Sequence, residues 1–369
     1  MNNLSVIGIG RLGLCFSLSL EGAGYNVVGC DINQDYVDLI NNKTLISYEP
    51  GVNEHLSTSK NFIATTDLVK TIEHAELVFV LVRTTSDPDG KYDVSQVEAV
   101  VSSLIELGHQ SDQKHLVISS NVNPGYSDTV SDRLQPYNWI VTYNPEMIAQ
   151  GTIMRNQAYP DCVYIGADNE QAANEVEEVY AKMCLNQPSI FKNSRLETEL
   201  IKISLNCILI VKISYANMVG DLAVKMGADP HKVLAAVAGD SRVNSKYLGY
   251  GFGFGGPCFP RDTRAFIRCC ELNDLPADIC QASNAINTKH LDFQVKDFID
   301  KNDKAVPVEI DGVTYKKGVA SLEESQQLKY AVALAECGFD VVVRESTEVI
   351  DKLRNAYGDL FRYEETGNS

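Results

Sequence analysis

A chain of 369 residues is too long for one compact core and suits two or three domains. Apolar residues make up 44% and charged residues 22%, which excludes a disordered, collagen-like or small disulfide-stapled protein. Thirty-two basic against forty-nine acidic residues give a net charge of −17, so the surface repels nucleic acid and anionic membranes.

No unbroken run of eighteen apolar residues occurs, and no membrane-spanning helix is expected. The N-terminus opens on a strand at Leu4-Ser5-Val6-Ile7, without the basic start and cleavage site of a signal peptide. The ten cysteines lack metal-ligand spacing; they read as reduced thiols in the cytoplasm, with no metal site.

Short β-branched runs recur at 4–8, 26–31, 78–82, 115–119 and 139–142, with helix-length segments between most of them. That alternation predicts a parallel sheet covered by helices on both faces. Ser194-Arg195-Leu196-Glu197 is a capping box, and no Gly or Pro follows until Gly220, so a helix of seven turns or more is expected. A second helix should start after Pro230. Five glycines fall between Gly249 and Gly256, helices resume around 263–300, and Lys301-Asn302-Asp303-Lys304 looks like a linker. Val306 to Ile310, a helix near 324–337 and Asp340 to Val343 predict a small βαβ-like unit. The expected architecture is α/β: a doubly wound domain over 1–192, a helical central domain over 193–300 and a second α/β domain over 305–369.

Gly8-Ile9-Gly10-Arg11-Leu12-Gly13 follows the first strand and opens a helix. The three glycines suit a tight turn, a close approach to a pyrophosphate and close helix–strand packing, in the Rossmann-like manner. Asp31 ends the second strand eighteen residues beyond Gly13, where a carboxylate accepts from a ribose hydroxyl and repels a 2′-phosphate. The pattern predicts NAD rather than NADP. Lys202 and Asn206 lie four apart on the long helix among apolar neighbours. Either Lys202 snorkels its amine to water, or the pair aims a cation and an amide into a cleft as oxyanion donors. Cys258 ends the glycine-rich loop with Asp262 four residues on. It is either a small inert hydrophobe or a covalent nucleophile.

Together these segments resemble the UDP-glucose/GDP-mannose dehydrogenase family from residue 1 to about 345. Tyr48-Glu49-Pro50-Gly51-Val52 is similar to YEPGL, Thr84-Thr85-Ser86 to TPT and Asn144-Pro145-Glu146 to NPE. Glu199-Leu200-Ile201-Lys202 with Asn206 resembles ELxK…N, and Asp240-Ser241-Arg242-Val243 resembles DxRI. The loop ending GFGGPCFPRD differs from GFGGxCFPKD by Arg261. The resemblance implies oxidation of the C6 alcohol of a nucleotide-linked hexose to the acid, with two NAD and no release of aldehyde. UDP-glucose is the expected substrate, and a UDP-N-acetylhexosamine or GDP-mannose the alternative. It assigns thiohemiacetal and thioester formation to Cys258, oxyanion stabilisation to Lys202 and Asn206, and water and proton handling to Asp262 and Glu146. Gly8 to Gly13, Asp31, Thr84, Ser86, Asn121 and Gln150 would line the NAD site. Glu146, Lys202, Asn206, Tyr247, Gly249, Gly251, Gly253, Gly255 and Lys316 would hold the nucleotide sugar, with Arg242 reaching into a neighbouring subunit. A homodimer through the 194–226 helix is implied.

Three departures stand out. Asn121 replaces a Thr, Gln150 replaces an acid, and Glu323 stands where the family has an arginine near cofactor phosphates; alternatively, Glu323 caps the following helix. Only twenty-six residues follow Val343, fewer than the family's third domain uses. A 3-hydroxyacid dehydrogenase shares the plan and uses a helix lysine but needs no Cys258. A homologue binding NAD or a partner without turnover is the non-enzymatic alternative.

Overall fold

The structure is a computed structural model and describes residues 2–366. Packing divides it into two units, Met1–Lys202 and Ile203–Ser369. The division falls inside the long helix, ten residues beyond the expected boundary at 192. The first turns of that helix are tied into the first unit: the buried Arg195 side chain donates to Asp128, Asp168 and the Val141 carbonyl.

The first unit contains β1 (Asn3–Ile7), β2 (Asn26–Cys30), β3 (Phe62–Thr65), β4 (Leu77–Val80), β5 (Thr85–Ser86), β6 (Tyr92–Asp93), β7 (Lys114–Ile118), β8 (Trp139–Tyr143), β9 (Cys162–Gly166) and β10 (Ser189–Asn193). β5 and β6 form a short hairpin, and the other eight make one sheet in the order β10-β9-β8-β7-β4-β1-β2-β3. β4, at its centre, is buried at every position, as a strand covered on both faces must be. Helices Arg11–Gly22 and Glu170–Met183 cover one face, where Phe16 meets Phe79 edge-on at 5.0 Å. Helices Ser95–Glu106 and Tyr126–Leu134 cover the other through Val97, Val101, Leu104 and Val130.

The expected parallel sheet has one departure. β9 and β10 are parallel to each other, but β9 meets β8 antiparallel through Tyr143 and Gly166. β3, β9 and β10 carry no long β-branched run and were not predicted. Phe62-Ile63-Ala64-Thr65 is short, and β10 is a largely exposed edge strand.

In the second unit the long helix Arg195–Lys225 continues from the first; its capping box forms, with the Ser194 amide donating to Glu197 Oε2 at 2.8 Å. Helices Pro230–Ala238, Phe259–Leu272 and Asp278–Lys301 follow. Over eighteen residues the long helix reaches a mean hydropathy of 1.6, enough by length and composition alone to cross a membrane, with 39% of that window buried in the protein. The criterion of unbroken apolar runs passes over this helix because single polar residues interrupt the run without lowering its mean far, and core helices meet the same measure. On one helical face Ile208, Tyr215, Met218, Leu222 and Met226 are all exposed, spaced as a stripe that wants a cover.

β11 (Val308–Asp311), β12 (Val341–Glu345) and β13 (Arg362–Glu365) form a parallel sheet in that order. Helices Gln326–Glu336 and Thr347–Tyr357 pack on it, and Phe298 anchors it to helix Asp278–Lys301 through Phe339 and Tyr330. The residues after Val343 thus add a helix and a strand to the expected βαβ unit. Ser325, not Glu323, caps helix Gln326–Glu336, its hydroxyl accepting from the Leu328 amide at 3.2 Å, and Glu323 is exposed.

Candidate active site

In the first unit the strand order β3-β2-β1-β4-β7-β8 puts a crevice beyond the carboxyl ends of β1 and β4, where the winding reverses. Gly8 takes φ +88°, and a Cβ there would lie 2.8 Å from the Leu81 carbonyl oxygen. A Cβ on Gly13 would lie 1.9 Å from the Gly8 oxygen, so both positions require glycine. Nothing lies within 4 Å of the Cβ direction of Gly10. That open side, at the start of helix Arg11–Gly22, leaves room for a pyrophosphate against unpaired helix N–H groups. Asp31 Oδ1 accepts from the Asn33 amide, and its second oxygen makes no hydrogen bond among the described residues. Arg11 Nη1 donates to Gln150 Oε1 at 3.0 Å, linking the turn to the 144–153 segment. Ser120 donates to the Val82 carbonyl at 2.9 Å, tying the loop that carries Asn121 to the loop that carries Thr84 and Ser86.

Past β8, Asn144-Pro145-Glu146 lies buried. Lys202 Nζ donates to the Glu146 carbonyl at 2.6 Å, so its amine is drawn inward rather than snorkelling. The Tyr180 hydroxyl lies 2.8 Å from Asn144 Oδ1 and 3.2 Å from Glu146 Oε1. One phenol proton serves one acceptor; donation to Asn144 leaves the Tyr180 oxygen to accept from a protonated Glu146. Burial pushes the Glu146 carboxyl up, against opposing contacts from Tyr180, Gln157 and the Lys202 charge. Below the unfolded value of about 4.3 the group is protonated in both states. Above it the unfolded chain releases the proton that the folded chain retains, and stability falls until the folded group also ionises. Glu146→Gln should therefore raise the melting temperature at pH 8 and leave it nearly unchanged at pH 4. A thermal-unfolding series across pH checks this; a drop at pH 8 would contradict it.

Glu199, one helical turn before Lys202, is buried. Its carboxylate accepts from the Gly125 and Ser127 amides at 2.6 and 2.8 Å, capping helix Tyr126–Leu134. Asn123 holds both backbone groups of Tyr92. The loop carrying Asn121 is therefore pinned on two sides.

In the second unit Cys258 is exposed at the N-cap of helix Phe259–Leu272, with Pro260 in its first turn. The positive end of a helix favours an anionic sulfur. Asp262 is fully buried, accepting from Asn206 Nδ2 through Oδ2 and from Arg261 Nε at 2.8 Å through Oδ1. Both oxygens are thus occupied, and Asp262 sets the orientation of the Asn206 amide. Gly253 and Gly255 have no room for a Cβ, which would meet Asn287 Oδ1 at 2.1 Å and the Glu324 carbonyl at 2.3 Å. Gly249 and Gly251 face open space.

Comparison with known proteins places the chain in a family. The profile of the UDP-glucose/GDP-mannose dehydrogenase family, NAD binding domain, matches residues 2–184, and that of the family's central domain matches 196–289. UDP-glucose 6-dehydrogenase of Haloferax volcanii is 30% identical over 97% of this chain and 86% of its own length. The chain belongs to the UDP-glucose/GDP-mannose dehydrogenase family. GDP-mannose 6-dehydrogenase of Pseudomonas savastanoi pv. phaseolicola is 28% identical over 96% of this chain and 83% of its own. The structure of a UDP-glucose dehydrogenase from Pyrobaculum islandicum superposes with a TM-score of 0.89 at 30% identity, covering 99% of this chain and 86% of that one.

As a member of this family the protein is an NAD-dependent nucleotide-sugar 6-dehydrogenase, and the open turn at Gly10 and the acceptor at Asp31 fit NAD. The remaining expected residues lie as follows. Arg242 is 87% exposed and paired with Asp240, and Tyr247 takes φ +64° with its ring edge-on to Phe259. Lys316 is half-buried in the loop after β11. Sequence reasoning missed Tyr180, the capping role of Glu199, and Arg261 as the partner of Asp262. Glu199 and Arg261 sit inside quoted motifs and carry a signal there; Tyr180 lies mid-helix in a segment without one.

Proposed function

We propose that this dehydrogenase oxidises the C6 alcohol of UDP-glucose to the carboxylate through a covalent adduct on Cys258. The observation that carries this reading is an exposed thiol at a helix N-terminus, directly after a glycine-rich loop and one turn before the buried Asp262 that holds Asn206. NAD, when bound, supplies a two-electron acceptor, so oxidation from alcohol to acid requires two.

In this reading residues 1–192 bind NAD, 193–300 carry Cys258 and the dimer helix, and 305–369 complete the nucleotide-sugar site. Gly8, Gly10 and Arg11 hold the pyrophosphate and Asp31 the ribose hydroxyls, while Thr84, Ser86, Asn121 and Gln150 line the rest. The Cys258 thiolate adds to the C6 aldehyde carbon, and the carbonyl oxygen takes up a proton. Oxidation of that thiohemiacetal leaves a thioester, and water then displaces the thiol. Lys202 and Asn206 donate to the oxygen as charge builds on it. Glu146, its carboxyl pushed up by burial, takes and returns the proton, and Asp262 keeps Asn206 in position. Tyr247, Lys316 and the open Gly249 and Gly251 contact the nucleotide sugar. The exposed stripe from Ile208 to Met226 supports a homodimer through the long helix, with Arg242 serving the partner. Ten thiols support a reducing cytoplasm.

The relatives named for UDP-glucose favour that substrate, and the GDP-mannose relative at 28% identity makes GDP-mannose the second choice. A panel of nucleotide sugars should give NADH with UDP-glucose, two NADH per sugar consumed, and a uronic acid. A ratio of one, with free aldehyde, would overturn the covalent route.

A further inference from the structure

The glycine loop hangs from a polar seam between two helices of the second unit. Asn217 and Asp221 lie one turn apart on the long helix, and Asn287, His290 and Gln294 line one face of helix Asp278–Lys301. Asn217 Oδ1 accepts from the Gly251 amide at 3.1 Å. Asn287 pairs with both backbone groups of Phe254, at 2.8 and 3.0 Å. The Gly251 carbonyl accepts from Gln294 Nε2 at 3.2 Å and lies 2.6 Å from His290 Nε2.

His290 is 1% exposed, and its Nδ1 lies 2.9 Å from each oxygen of Asp221. Both ring nitrogens therefore face acceptors, a carbonyl and a carboxylate. A neutral imidazole carries one N–H and can serve only one of them, whereas an imidazolium serves both. The Tyr250 hydroxyl donates to the same carboxylate, at 2.9 Å to Asp221 Oδ1. Without a ring N–H the Gly251 oxygen would lose that donor and the loop its tie there. The other ionisable groups around the pair are Tyr250, edge-on to the imidazole at 5.6 Å, His231 beyond that ring, and Asp297, whose charge acts on Tyr250.

We propose that His290, held by Asp221, is a positioning residue that fixes the Gly251 carbonyl and with it the nucleotide-sugar loop. This rests on the loop's substrate role proposed above. His290→Phe keeps the ring volume and removes both donors. It should raise KM for the nucleotide sugar about tenfold, the weight of one buried hydrogen bond, with KM for NAD within about twofold. Asp221→Asn weakens the hold on Nδ1 and leaves the ring in place, so it should raise the same KM by a smaller factor.

Hydrogen exchange of the 251–254 amides, measured at one pH and corrected for intrinsic rates, reads the clamp without turnover. Protection should fall in His290→Phe and by less in Asp221→Asn. Unchanged protection and unchanged KM in both variants would overturn the proposal; if His290→Phe does not fold, Asp221→Asn decides alone. Loop protection lost in the variants of a protein that oxidises no nucleotide sugar would keep the clamp and reject the substrate reading.

Discussion

Cys258→Ser should bind NAD and the nucleotide sugar with near-normal affinity and lose acid formation by at least about a thousandfold, about 4 kcal/mol of barrier. The side chain is exposed at the N-cap of helix Phe259–Leu272, and exchanging sulfur for oxygen changes its volume little. What changes is the nucleophile: the helix terminus can favour a thiolate, but a serine hydroxyl stays protonated at neutral pH. Without the adduct the second oxidation has no held substrate, and any residual turnover should stop at the aldehyde. Titration calorimetry for both ligands, with NADH yield and product analysis, checks each part. Two NADH per sugar at an undiminished rate would place the nucleophile elsewhere.

Lys202→Met should lower kcat by about 10² to 10³, with a smaller effect on KM. The Met side chain keeps most of the apolar stem and removes the ammonium that donates to the Glu146 carbonyl. Two losses follow from one change: the developing oxyanion loses a cationic donor, and the Asn144–Glu146 segment loses the contact that ties it to the long helix. If Lys202→Met raised KM while kcat stayed level, the lysine would bind ground state and transition state alike.

How much of this was legible beforehand depends on the range of the interaction. The fingerprint Gly8 to Gly13 and the capping box at Ser194 are local: a few neighbouring residues set the turn or the cap, and both formed as expected, while Asp31 lies one residue past the end of β2. The Cys258 loop was legible because glycine, proline and cysteine in one short segment constrain the backbone by themselves. Long-range partners were not. Nothing near Lys202 in the chain points to the Glu146 carbonyl, fifty-six residues away. Nothing near Tyr180 says that its hydroxyl meets Asn144 and Glu146. The alternative of a cap by Glu323 fell to Ser325, because acid near a helix start is favourable at several positions and only backbone geometry selects the cap.

The sequence by itself determined the dinucleotide turn, the alternation of strand and helix, the long central helix and the family, because periodicity and short motifs encode local structure. Only the tertiary structure decided the reversal at β9, the unit boundary at Lys202, the occupied oxygens of Asp262 and the clamp of His290 on Gly251. Each of these depends on which buried polar group finds which partner. Burial makes an unmet hydrogen bond costly, so the folded chain brings together donors and acceptors that lie far apart along it.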